Sequence, residues 1–251
     1  MNARVIDEQI RLRGKCGMTY WYPRIKDLPI PQPKTVIYDI PQGQLDNIQK
    51  SNMASLDMTP VYAAAEQIGY PLFLRTDQAS AKHDWNKASI ANSAEELRSR
   101  IFETISFNQC ADMDGLPYKS LVFREFIKMD SRFKAFLGEL PINPERRYFF
   151  KDGKILCSHA YWPEEAIQNA DSSEWRQLLR EANEDTPEDK EKLTAYALLV
   201  AEKFNGDESW SVDFCKAKNG GWYLLDMAAA INSYHVEGCP VIKQLEDELN
   251  G

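Results

Sequence analysis

Apolar residues recur along this chain at two spacings, and their alternation predicts the order of elements. Residues 36–40 (Val-Ile-Tyr-Asp-Ile) and 72–76 (Leu-Phe-Leu-Arg-Thr) are short runs bounded by polar residues and proline, as strands are. Between them Val61, Ala64, Ala65 and Ile68 share one helical face, with Thr59-Pro60 as cap and first helical position and Gly69 and Pro71 as the stop. Ser93-Ala94-Glu95-Glu96 reads as a capping box for a helix that aligns Leu97, Ile101 and Ile105. After a loop at 110–117 the character changes to β. Strands are expected at 120–127 and 133–137, then a hairpin of 147–150 and 155–160 turning at Asp152-Gly153. Residues 164–192 are acidic and polar and are expected to face solvent, with Thr186-Pro187 starting a helix that buries Leu193, Ala197, Val200 and Phe204. A last hairpin, 210–215 and 222–227, turns at Asn219-Gly220. The pattern predicts an α+β protein of two mixed α/β lobes, 34–119 and 120–251. An aromatic, proline-rich extended arm precedes them at 1–33. In that arm Tyr20, Trp21 and Tyr22 suit either a protein-partner patch or a cover for the core.

Composition narrows the classes. The 251 residues carry 30 Lys and Arg against 38 Asp and Glu, a formal net charge of -8, which argues against general nucleic-acid binding. A few focused cations can still hold a phosphate in an acidic protein. No run reaches the roughly 20 apolar residues of a membrane helix, and the first residues lack a signal-type apolar run. The five cysteines are scattered without a CxxC pair, and the three histidines are equally dispersed. Neither a zinc site nor a disulfide framework is expected, and a reduced, cytoplasmic protein is the default. Cys157 and Cys215 read as small core residues in strands. His235 is open between a structural role and a place near the site.

The last hairpin carries the sharpest chemistry. A two-residue turn at Asn219-Gly220 sets Asp213 opposite Asp226, about 5 Å apart, where like charges ask for a cation or a shared proton. An oxygen-only pair, with Asn232 a few residues on, suits Mg²⁺ that also meets nucleotide phosphates. The competing reading is a solvated edge with two inert carboxylates. Arg75 and Arg147 each interrupt an apolar strand, so each must be paired or face a ligand. Lys82 follows in the polar loop after Arg75, beside Ser80 and His83.

In this order the parts resemble the ATP-grasp superfamily. Residues 70–76 (Tyr-Pro-Leu-Phe-Leu-Arg-Thr) look like the strand bearing the second ATP-contacting lysine, with Arg75 in its place, a substitution that marks a bacterial and phage clade. It is similar as well to the eukaryotic family of ATP-grasp assembly chaperones for a translation initiation factor. Residues 80–85 (Ser-Ala-Lys-His-Asp-Trp) match that clade's phosphate loop, and 121–127 (Leu-Val-Phe-Arg-Glu-Phe-Ile) look like the strand entering the interlobe hinge. Residues 145–153 resemble the family's Glu-x-Arg strand and turn, and 212–214 with 224–227 resemble its paired metal-binding strands.

The resemblance implies an ATP-grasp fold with nucleotide between the lobes, and ATP and Mg²⁺ as cofactors. It assigns Arg75, Lys82 and Arg147 to the phosphates, with Arg75 and Arg147 acting in catalysis. Glu125, Phe126 and Ile127 fall to adenine and ribose, and Asp213, Asp226 and Asn232 to the metal. The implied activity is carboxylate–amine ligation through an acylphosphate, with a carboxylate and an amine, small molecule or peptide, as partners. Two departures point to the alternative, a non-catalytic ATP-binding assembly factor or chaperone: Ala228 stands where the family often has Asn, and the separate amino-terminal substrate domain of larger members has no counterpart.

Overall fold

A computed structural model describes residues 3–50, 52–80, 89–112, 117–137 and 140–250. The chain divides into two compact units. One comprises residues 17–19 and 33–127; the other comprises 1–16, 20–32 and 128–251.

The first unit is a four-stranded antiparallel sheet under helices. β1 (Thr35–Asp39), β2 (Leu72–Thr76), β3 (Ile90–Ala91) and β4 (Ser120–Glu125) lie in the order β1-β4-β2-β3. Arg75 pairs with Val122, and Arg124 pairs with both Phe73 and Thr35. α3 (Gln42–Gln49), α4 (Met58–Glu66) and α5 (Ala94–Asp112) cover the sheet, burying Ile48, Val61, Ala65, Leu97, Ile101 and Ile105 on Leu72, Leu74, Leu121 and Phe123. The cap of α4 is Asp57, two residues ahead of the expected Thr59: its carboxylate accepts the Thr59 N–H at 2.9 Å, so Thr59 and Pro60 both sit inside the first turn.

The second unit is built on the sheet β10-β9-β7-β8, with β7 (Glu145–Lys151), β8 (Lys154–Ala160), β9 (Trp210–Lys216) and β10 (Trp222–Ala229) all antiparallel. Asp152 and Gly153, both at positive φ, make the expected tight turn between β7 and β8. α7 (Pro187–Ala201) lies along one face, its Thr186 cap accepting the Asp189 N–H at 3.1 Å. Leu193, Ala197, Val200, Phe204, Val212, Phe214 and Trp210 are all buried in this unit. A hairpin of β5 (Phe133–Ala135) and β6 (Leu140–Ile142) buries Leu179 of α6 (Trp175–Asn183) in a separate small cluster. The 164–192 stretch is therefore not simply solvent-facing: α6 turns Leu179 and Ala182 inward.

Residues 1–33 are not an extended arm. α1 (Ala3–Arg13) and α2 (Met18–Ile25) are helices, although Pro23 lies within α2. Nor are Tyr20, Trp21 and Tyr22 a free partner patch. Trp21 is fully buried and donates its indole N–H to the Cys16 carbonyl at 3.1 Å. Tyr20 stacks flat on Trp210 at 5.8 Å, and the Arg24 guanidinium lies 4.2 Å from its ring centre while pairing with Asp207. Tyr20 and Trp21 meet different neighbours because the helix turns each residue by about 100°, and Tyr22 is half-buried with its ring edge-on to Trp21. Among the described residues no helix is long and apolar enough to cross a membrane.

Trp21→Ala is expected to cost about 3–5 kcal/mol, since it empties a fully enclosed indole volume and orphans a carbonyl. Urea denaturation measures this, and a loss under about 1 kcal/mol contradicts the packing described.

Candidate functional site

Alternation along β7 sends Arg146 and Arg147 to opposite faces of the core sheet. Arg146 donates to the Ala182 and Glu184 carbonyls and the Asp185 carboxylate, anchoring the end of α6. Arg147 faces the other way, and antiparallel pairing gives it neighbours on both sides. His159 of β8 is its partner across one ladder, and Asp213 of β9 across the other. Asp213 in turn pairs with Asp226 of β10. One row therefore crosses all four strands: His159, Arg147, Asp213, Asp226.

The Asp213–Asp226 pairing is as expected, but two local departures combine to produce it. The turn holds three residues, with Gly220 at φ 84° and the Ala217 N–H bonded to the Gly221 carbonyl at 2.8 Å. That shifts the register by one, so Leu224 rather than Leu225 lies opposite Phe214. A bulge between Leu224 and Asp226 then absorbs the extra residue and restores Asp226 to Asp213.

Arg147 holds Asp213 in a two-pronged ion pair, Nε to Oδ1 and Nη2 to Oδ2, both 2.7 Å, and Nη1 donates to the Tyr234 carbonyl at 3.2 Å. The guanidinium also lies 4.5 Å from the Tyr161 ring centre. Both side chains of the pair are close to nine-tenths buried. Burial works against the Arg147 charge, but the Asp213 carboxylate outweighs it and the guanidinium is held above its ordinary pKa. Sequence reasoning assigned Arg147 to phosphate and Asp213 to metal; the structure brings them together and pairs them with each other. One cation and two carboxylates leave the row a formal charge of -1, which favours an added cation.

The other expected residues sit as follows. Asp226 is half-buried and one of its oxygens accepts the Met227 N–H at 3.1 Å. Asn232 lies in the 3₁₀ turn after β10, its amide nitrogen donating to the Gln9 carbonyl of α1 at 3.2 Å. Arg75 is buried in β2 of the first unit, and its Nε donates to the Thr76 carbonyl at 3.1 Å. Glu125 ends β4; its backbone bonds Lys34 at 2.8 Å and its carboxylate receives the Lys34 N–H at 3.2 Å. Phe126 and Ile127 follow, half-buried, as the chain leaves the first unit. Lys82 lies outside the described residues.

For Mg²⁺ the donor chemistry fits. Among the described residues no three His, Cys, Asp or Glu side chains group as metal ligands. Mg²⁺ ordinarily takes only one or two carboxylates and completes its shell with phosphate oxygens and water. Asp213 and Asp226, facing each other across the ladder, supply that number.

Sequence reasoning missed the row's fourth member. His159 donates Nδ1–H to the Ala160 carbonyl at 2.7 Å, and burial foremost, then Arg147, holds its pKa below the ordinary value. The Asp152-Gly153 turn alone would set Ser158 opposite Arg147; a register shift between Phe149 and Phe150 brings His159 there instead, and no local pattern signals it. His235 stacks on Phe149 with ring centres 4.3 Å apart, a contact no local pattern signals.

Residues 65–246, most of the chain, match the model of an ATP-grasp domain family, the third family of its clade. No curated protein sequence matches the chain significantly. The biotin carboxylase domain of Hydrogenobacter thermophilus 2-oxoglutarate carboxylase, solved with MgADP and bicarbonate, superimposes with a TM-score of 0.52 at 15% identity, covering 88% of this chain and 40% of that one. D-alanine–D-alanine ligase from Bacillus anthracis gives 0.50 at 14% identity over 94% of this chain and 62% of that one. Carboxyaminoimidazole ribonucleotide synthase from Aspergillus clavatus, complexed with ATP, gives 0.50 at 14% over 92% and 48%. At such identities the likeness establishes the ATP-grasp fold, and the chain spans less than two thirds of each of these structures.

Two outcomes follow from the row and its cover. Removing one partner of the buried pair, Arg147→Ala or Asp213→Ala, is expected to cost about 3–5 kcal/mol in urea denaturation, and Arg147→Met with Asp213→Leu far less than the sum; strict additivity contradicts the pairing. Burial, opposed by the Ala230 hydrogen bond, holds His235 below its ordinary pKa, with His159 and Arg147 near enough to add to the effect. The unfolded chain then binds the extra proton first, so stability falls as pH drops through about 6.5. His235→Phe, which keeps the stack, should flatten that fall in melts across the range; an unchanged slope contradicts it.

Proposed function

The chain belongs to an ATP-grasp domain family, and from that premise we propose that it is an ATP- and Mg²⁺-dependent carboxylate–amine ligase. The observation that carries the reading is the row Arg147–Asp213–Asp226, a cation and two oxygen ligands side by side on adjacent strands. A carboxylate oxygen attacks the γ-phosphorus of ATP, the bond to the β-phosphate oxygen breaks, and ADP departs to leave an acylphosphate. An amine then attacks the acyl carbon, phosphate leaves, and the amine nitrogen loses a proton. Two anions must approach in the first step, so its barrier is set by charge screening.

In this reading Arg75 takes the place of the second ATP-contacting lysine, as the resemblance implies, and Arg75 with Lys82 binds phosphate. Glu125, Phe126 and Ile127 hold adenine and ribose. Asp213 and Asp226, joined by the Asn232 side-chain oxygen, would hold Mg²⁺, which supplies screening at the β- and γ-phosphates. Arg147 orients Asp213 through the two-pronged pair, and its Nη1, now on the Tyr234 carbonyl, is the group able to turn toward phosphate. No side chain need act as nucleophile, so protein groups only position and screen.

Ala228 favours the second reading, a non-catalytic ATP-binding factor of the assembly-chaperone kind. It stands on the row's own face, opposite Ser211, and brings no side-chain oxygen where the family often has Asn. ADP release that depends on a carboxylate and an amine separates the readings, since a binder holds ATP without acceptor-dependent turnover.

Thermal unfolding tests the site under either reading. ATP with Mg²⁺ at about 100 times the dissociation constant should add about 2.7 kcal/mol, a midpoint rise on the order of 5–10 °C. The rise should need both components and vanish in Asp226→Ala. A shift that survives this substitution rules out the metal assignment.

A further inference from the structure

The row above covers only part of the sheet's polar face; one step along, two residues further on each strand, the pairing sets Cys157 beside Phe149 and Phe149 beside Ser211. The segment after β10 covers this second row. Ser233 meets Ser211 at 2.7 Å between hydroxyls, and His235 lies flat on Phe149. Cys239, just ahead of α8 (Pro240–Asn250), is buried in the same cluster, against which Cys157 packs.

The hydrogen bonds at His235 fix its tautomer. Nε2 is 2.7 Å from the Ala230 carbonyl, which can only accept, so Nε2 carries the proton. Nδ1 is then bare, and it lies 3.4 Å from Cys239 Sγ, in place to receive the thiol proton. The Cys157 thiol meets the Cys239 thiol from the strand side, and burial together with that contact pushes Cys157 up to about 12. Burial holds Cys157 protonated, so Cys239, with the bare imidazole nitrogen beside it and the second thiol on its other side, is the one placed to lose its proton first.

We propose that Cys157 and Cys239 form a reversible disulfide, with Cys239 the attacking thiol, His235 Nδ1 its proton acceptor, and a peroxide the oxidant. The Cys239 proton passes to Nδ1 and the sulfur attacks one peroxide oxygen. The O–O bond breaks, and the hydroxide released takes the proton from His235 and leaves as water. Cys239 is then a sulfenic acid. The Cys157 sulfur attacks that sulfur, the S–O bond breaks, and hydroxide departs with the Cys157 proton as a second water. Two thiols lose two electrons in all, and peroxide is reduced to two waters. Contact between the sulfurs must shorten to the bond length of about 2.05 Å. The irregular segment 233–239 is the part that can move to allow it. His235 follows Tyr234, whose carbonyl receives Arg147 Nη1, and Cys157 lies two residues from His159 along β8, so both elements that hold the thiols also border the row.

The test uses the full chain and hydrogen peroxide, with thiols counted after denaturation and linked peptides mapped without reductant. Of the five cysteines, three thiols should remain after oxidation, the linked peptides should contain Cys157 and Cys239, and dithiothreitol should restore all five. Cys157→Ser should stop at a sulfenic acid on Cys239 that dimedone traps, and His235→Phe should slow oxidation roughly tenfold or more. Five titratable thiols in the peroxide-treated wild type, or a link through any other cysteine, overturns the proposal whether or not the variants fold.

Discussion

The Arg147–Asp213 ion pair is the constraint around which the second unit is arranged. Two charges on the central strands of a sheet, each about nine-tenths buried, are tolerable only if they satisfy one another, and the two-pronged geometry does so. It also requires β7 and β9 to be neighbours in a register that sets residue 147 opposite 213. The two flanks of the row need shifts of their own, one between Phe149 and Phe150 and one between Leu224 and Asp226. His159 falls on one flank of the pair and Asp226 on the other, and the bulge in β10 is what brings Asp226 onto the same line.

The two faces of the sheet divide the work. The face toward α7 is aromatic and aliphatic, with Tyr148 edge-on to Phe214 at 6.0 Å and Phe204 against Trp210 at 4.8 Å. Its packing fixes the strands rigidly enough for the opposite face to carry charge. On that opposite face the segment from Ala230 to α8 covers Phe149 and Cys157, while the row beside them carries the carboxylates and the guanidinium. The same alternation that sends Arg146 inward to α6 sends Arg147 to the row, so two adjacent arginines have unrelated roles.

Much of this was legible in the residues, and the failures are physical. Both hairpins and the α7 stripe follow from period and turn chemistry. The Asp213–Asp226 pairing was also legible, although Asn219-Gly220 makes a three-residue turn and Leu225 bulges; each slips the register by one, and the slips cancel. The helices of residues 3–25 were hidden by the prolines around them and by exposed Ile6 and Ile10, which break the expected stripe. The contact of His235 with Phe149 and the meeting of Cys157 with Cys239 join positions far apart in sequence, and only tertiary structure supplies them. The pairing of Arg147 with Asp213 depends on the β7–β9 register, which joins strands 66 residues apart and leaves no local signal.

The central claim is that Asp213 and Asp226 hold the divalent ion of a bound nucleotide. Mn²⁺, a paramagnetic stand-in for Mg²⁺, tests it directly when added with ATP to isotope-labelled protein and followed by backbone NMR. The account predicts ATP-dependent broadening centred on the amides of 212–214 and 225–227. Broadening centred elsewhere, or none at saturating ATP, contradicts it.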